Sequence, residues 1–97
     1  MPKGNSGGWT VRHDLKTWPE YFAMVKDGRK RFEVRMNNRE FHEGDTLLLQ
    51  EYLPEEGVFS GNTLTCRVTC VVDGEQFGIK HGYVVMGIAV TGSRIAE

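Results

Sequence analysis

The chain has 97 residues, 39% of them apolar and ten aromatic, which supports one small core, excludes a second, and is too apolar for a disordered segment. A formal net charge of −1 excludes a protein that coats nucleic acid through charge alone. No run of 18 apolar residues occurs, so no membrane-spanning helix is expected.

Residues 1–8 are rich in Gly and lack an apolar stretch. They read as a flexible lead-in rather than a secretory signal. A single domain is expected over residues 9–90, with residues 91–97 as a tail. Trp9 to Leu15 alternates loosely and reads as a first short strand. Thr17-Trp18-Pro19-Glu20 then has the Thr-x-x-Glu spacing of a capping box, with Pro in the first turn, where its missing N–H costs nothing. Trp18, Tyr21, Phe22 and Val25 follow at i, i+3, i+4 and i+7, the apolar face of a helix. Gly28 stands where a glycine should end it, so the helix is expected over about residues 18–27.

Arg31 to Arg35 alternates as a strand, which predicts Phe32 and Val34 in the core and Arg31, Glu33 and Arg35 on the opposite face. Met36 to Gly44 reads as a polar loop. Thr46 to Tyr52 is the next strand, its Leu47-Leu48-Leu49 run suggesting burial on both faces. Residues 53–61 form a hairpin connection, and Asn62 to Val72 is the longest alternating run. Asp73 to Gly82 is a glycine-punctuated loop, and Tyr83 to Val90 a last strand. One early helix followed by strands on short turns predicts an α+β protein built on a curled sheet or small barrel of about five strands.

Cys66 and Cys70 lie four residues apart in one strand, so their Cα atoms should be roughly 13 Å apart, too far for a disulfide. Their parity puts both on the face of Leu64 and Val68, which predicts two buried free thiols and fits a reducing, cytoplasmic setting. His13, His42 and His81 are dispersed and do not combine with the cysteines into metal-ligand spacing, so no metal is expected. There is no Gly-rich phosphate loop and no nucleophile elbow, and no cofactor is expected.

Charge is unevenly placed. Lys26 to Arg39 carries six cationic residues against two carboxylates, whereas Glu40 to Glu56 carries six carboxylates and no Lys or Arg. Within the basic segment, Gly28-Arg29-Lys30-Arg31-Phe32-Glu33-Val34-Arg35 matches Gly-x-Lys-x-x-Glu-x-Arg. Glu33 and Arg35 share a strand face, so a carboxylate and a guanidinium can share one site. Arg supplies planar bidentate donors for phosphate or a base edge, and Glu accepts from exocyclic amines. An ordinary Arg31–Glu33–Arg35 surface ladder is the competing explanation.

The motif resembles the signature of the ASCH superfamily, relatives of the PUA RNA-binding domains. Trp18 to Phe22, Asn38-Arg39, Gly44-Asp45, Glu51-Tyr52 and Gly82 to Met86 look like further blocks of a small ASCH-like subgroup of unknown function. The resemblance implies a PUA-like curled sheet or barrel and a cleft beside the motif strand. There Lys30, Arg35 and Arg39 would meet phosphate, Glu33 would read a base, and Asn38 and Tyr83 would complete the candidate set.

Three readings follow from this. The first is binding of RNA, or of a nucleotide or modified nucleoside. The second is a small amidohydrolase acting on N4-acetylcytidine-type nucleosides with Lys30 and Glu33 as catalytic groups, although Glu33 stands where such enzymes carry threonine. The third is a protein-interaction adaptor. Trp18 is expected in the core more readily than as a stacking platform.

Overall fold

In the computed structural model, which describes residues 10–96, the chain forms β1 (Arg12–Thr17), α1 (Pro19–Lys26), β2 (Phe32–Met36), β3 (Thr46–Leu53), β4 (Val58–Asp73) and β5 (Tyr83–Arg94). The strands make one sheet in the order β1-β3-β4-β5-β2. β1 runs parallel to β3, and every other neighbouring pair is antiparallel. Helix α1 therefore connects the two edge strands, as a crossover must when the strands it joins are not neighbours. The sheet curls into a half barrel, which brings those edges within side-chain reach of each other. Register shifts between Gln50 and Tyr52 on β3, and at two points on β4, supply the local bending such a curl requires.

The inner face carries the core. Leu15 on β1, Leu47 and Leu49 on β3, Leu64, Cys66 and Val68 on β4, and Val84, Met86 and Ile88 on β5 are buried with Phe22 and Val25 of α1. A buried polar pair pins β1 to the start of β3: His13 Nε2 lies 2.8 Å from Asp45 Oδ2. That oxygen also accepts from the His42 amide at 3.0 Å, and the His13 ring packs on Phe41, with 4.6 Å between centroids.

The elements fall close to their expected places, with differences that have physical causes. The helix starts with Trp18, not Thr17, in the N-cap position, and no side chain caps it. Thr17 is buried instead, and its hydroxyl donates to the Leu15 carbonyl at 3.4 Å. The helix stops as expected: Gly28 adopts φ +88°, a left-handed geometry that glycine takes without a Cβ clash.

The facing of β2 is reversed. Phe32 and Val34 are 45% and 50% exposed while Glu33 is buried, because β2 is an edge strand whose inner face meets a charged cluster rather than the apolar core. Cys70 is exposed although Cys66 is buried. The register shift between Val68 and Cys70 inserts the extra residue that turns the later cysteine to the other face. β1 ends at Thr17 rather than Leu15, and β4 and β5 are longer than expected, β5 continuing past Val90 to Arg94. Trp9 and the lead-in of residues 1–8 lie outside the described residues. No helix is long and apolar enough to cross a membrane among the described residues.

Candidate functional site

Main-chain ladders do not close the half barrel between β1 and β2; side chains span the opening. Arg35 on β2 sends Nη2 across to the Lys16 carbonyl at 3.0 Å and to Thr17 Oγ1 at 3.4 Å. Arg39, in the loop after β2, donates to the Asp14 carbonyl at 2.9 Å. Both carbonyls belong to an edge that would otherwise be unpaired, and arginine, with five donors in a rigid fork, suits such a bridge.

Behind this seam sits Glu33, 3% exposed. Its Oε1 accepts from Arg35 Nε and its Oε2 from Lys30 Nζ, each at 3.0 Å. A carboxylate is tolerated at that depth because both oxygens are paired with cations. Lys30 reaches Glu33 from the turn that follows α1. Gly28 reverses the chain there, and Asp27 accepts from the Arg29 amide at 3.1 Å. The Lys30 amide donates back to the Met24 carbonyl at 3.0 Å. Lys30 Nζ also donates to the Phe32 carbonyl at 2.7 Å.

A cavity of about 330 Å³ opens onto this cluster, at the small end of the range for small-molecule sites. It is lined by Lys16, Thr17, Trp18, Tyr21, Lys30, Glu33, Val34 and Arg35. Two cations, Lys30 and Arg35, face one carboxylate, so the site favours an anion. The Lys16 ammonium instead lies over the Tyr52 ring, 4.1 Å from its centroid. Trp18 and Tyr21, 49% and 47% exposed, present aromatic surface at its rim.

Cys66 lies on the core side of the cluster. Burial, reinforced by the nearby Glu33 carboxylate and opposed by Lys30, pushes its thiol up to about 11. That group is a packing residue rather than a nucleophile.

Of the residues singled out in the sequence, the structure brings Lys30, Glu33 and Arg35 together. Arg39 bridges the same seam further along, and Asn38 is an exposed neighbour on its loop. Tyr83 does not join them and lines a different cavity with Asn37, Asp73 and Glu75. Lys16, Thr17 and Tyr21 are not among the residues the sequence singles out, and Trp18, expected in the core rather than as a platform, is instead 49% exposed at the cavity rim. One signal was legible: Trp18 precedes Pro19 at the N-cap, outside the helical turns that bury Phe22 and Val25.

The other carboxylates that could assist Lys30 are engaged elsewhere. Glu51 Oε1 accepts from Ser60 Oγ at 2.7 Å and from Asn62 Nδ2 at 2.9 Å. Glu75 pairs with His81. Neither lines the cavity.

A family model described as a domain of unknown function (DUF3850) matches residues 12–88. That stretch runs from the first residue of β1 into β5 and contains every residue of the cavity. An uncharacterized 12.9 kDa protein in the GpA 3′ region of Escherichia phage P2 is 41% identical over 61 residues, 63% of this chain and 54% of that relative. The match thus spans about half of the relative's length.

Proposed function

We propose that this chain, which belongs to the DUF3850 family, binds a single nucleotide, free or within a short single-stranded RNA, in the cleft between β1 and β2. The observation that carries this reading is the combination of two cations paired with a buried Glu33 and two half-exposed aromatic rings at the rim of one cavity. Each part has a distinct task. Arg35 meets phosphate with the donors that Glu33 and the Lys16 carbonyl leave unused. Trp18 and Tyr21 stack on a base, an interaction worth about 1–3 kcal/mol per base. Glu33 spends one lone pair of each oxygen on Arg35 and Lys30 and keeps the others for an exocyclic amine.

The Gly28–Arg35 motif, with its resemblance to ASCH and PUA-like domains, supports the same reading. The net charge of −1 favours one ligand of modest affinity over a long phosphate track. Arg39 and Asn38 extend the basic side of the seam toward a second phosphate. A hydrolase acting through Lys30 needs a further carboxylate at the site, and Glu51 and Glu75 are both held elsewhere.

Tryptophan fluorescence tests the reading. Titration with the four nucleoside 5′-monophosphates and a pooled set of short RNAs should quench emission, and Trp18→Ala should abolish the saturable change. Emission indifferent to all of them at millimolar concentration would reject a nucleotide site. Saturation by RNA alone would place the nucleotide within a strand.

A further inference from the structure

The open edge of β2 adds a recognition element to the same cavity. Antiparallel ladders alternate between residue pairs that exchange main-chain hydrogen bonds and pairs that do not. The Ile88 amide donates to the Arg31 carbonyl at 3.1 Å, and the Asn37 amide donates to the Gly82 carbonyl at 2.8 Å. With Phe32 opposite Gly87 and Met36 opposite Tyr83, the odd-numbered residues of β2 face β5. Phe32, Val34 and Met36 therefore aim their N–H and C=O groups at the open edge.

Two of those three carbonyls are already taken. Phe32 accepts from Lys30 Nζ at 2.7 Å, and Met36 accepts from the Asn38 amide at 2.9 Å. On the facing edge, the Asp14 and Lys16 carbonyls are taken by Arg39 and Arg35. Between the two capped positions, Val34 has no main-chain partner on that side among the described residues. Val34 also lines the cavity. Its side chain lies on the face opposite the buried Glu33, so the group that Val34 offers the cavity is its main chain.

We infer that the Val34 N–H and C=O form a donor–acceptor edge that reads a planar ligand presenting a complementary acceptor beside a donor. This rests on the nucleotide reading and specifies how the base is held: through its Watson–Crick edge, against the main chain of residue 34. Each of the four bases carries adjacent donor and acceptor atoms on that edge. The capping of the Phe32 and Met36 carbonyls leaves Val34, among the described residues, as the one residue of this edge with both its N–H and its C=O open. That suits a small planar ligand better than an added strand, whose ladder needs successive open donors and acceptors. Recognition by main chain also makes the Val34 side chain dispensable.

The test compares, on the wild-type protein, the nucleoside 5′-monophosphate that binds tightest with its counterpart methylated on the Watson–Crick ring nitrogen (N1 of a purine, N3 of a pyrimidine). The methylated ligand is expected to bind roughly tenfold more weakly or worse, since the methyl group blocks pairing with the Val34 main chain. Exchange of the Val34 amide proton should slow on saturation with the unmodified ligand. Val34→Pro, tolerated where an edge N–H faces outward, should lose roughly tenfold. Equal affinity for the two ligands, with Val34 exchange unchanged, overturns the main-chain edge and leaves the nucleotide site standing. Binding of none of the four monophosphates and no RNA overturns both. The ligand comparison and the exchange measurement need no variant, so they decide the matter even if Val34→Pro does not fold.

Discussion

Arg35 Nη2 donates to the Lys16 carbonyl from the opposite edge of the sheet, at 3.0 Å. The same guanidinium holds Glu33 through Nε, so one side chain both closes the half barrel and orders the cavity behind the closure. Lysine in its place has one nitrogen and cannot span both partners in a fixed geometry. Arg35→Lys should lower unfolding stability by about 1 kcal/mol, measured by urea denaturation, and should weaken nucleotide binding more than it weakens the fold. A variant with wild-type stability and affinity would show that the bridge is incidental.

Glu33 neutralises two cations whose side chains are themselves only 14% and 26% exposed. Glu33→Ala leaves both facing an apolar floor, and a loss of about 1–3 kcal/mol is expected, the partial exposure of the two cations keeping it below the cost of a fully buried pair. Glu33→Gln keeps the shape and should cost less. Equal stability of all three proteins would mean that the trio is a solvated ladder after all.

Much of this cluster was legible in the sequence, because the Gly-x-Lys-x-x-Glu-x-Arg spacing forces Lys30, Glu33 and Arg35 close together whenever a turn precedes a strand. Which way the strand faces was not legible. Alternation tells which residues share a face, not which face is inside, and the usual preference for burying Phe32 and Val34 yields at an edge strand whose inner side meets ion-paired groups. The same limit hid the split between Cys66 and Cys70, since the bulge in β4 shifts parity while its marker, Gly87, whose missing Cβ leaves room for Thr69 and Cys70, lies far along the chain on the partner strand β5. Lys16 and Trp18 join the site only because α1 carries the chain from one sheet edge to the other, a relationship set by topology rather than by local spacing.

The two cysteines should behave as differently as their surroundings. At pH 8 a thiol reagent should titrate the exposed Cys70 in the native protein and both cysteines in denaturant. The Cys66 thiol ionises near 9.0 in its ordinary state and at about 11 when folded, through burial first and Glu33 second. The folded state thus prefers the neutral thiol. This contribution to stability is fully present below pH 9 and is lost as the pH rises from 9 to 11, at ~1.4 kcal/mol per unit. Wild type should lose stability over that window more steeply than Cys66→Ala, and parallel pH profiles would refute the assignment.

Asp45 makes the other buried polar link. Removing its carboxylate strands His13, which is 6% exposed, and the His42 amide without their acceptor. Asp45→Ala should cost about 2–4 kcal/mol, read as a drop in the denaturation midpoint. Ligand affinity under native conditions should be unchanged, because the pair lies outside the cavity. A variant that binds poorly while remaining fully folded would link this pair to the site.

The most direct test of the nucleotide cleft is an amide-resolved NMR titration of the wild-type protein with nucleoside 5′-monophosphates, alongside the same nucleosides lacking phosphate. Saturable shifts are predicted at residues 16–21 and 30–35, at lower concentration for the phosphorylated ligands because Lys30 and Arg35 face the cavity. Spectra unchanged at millimolar ligand, or shifts confined to the distant loop around Phe77, would contradict the account.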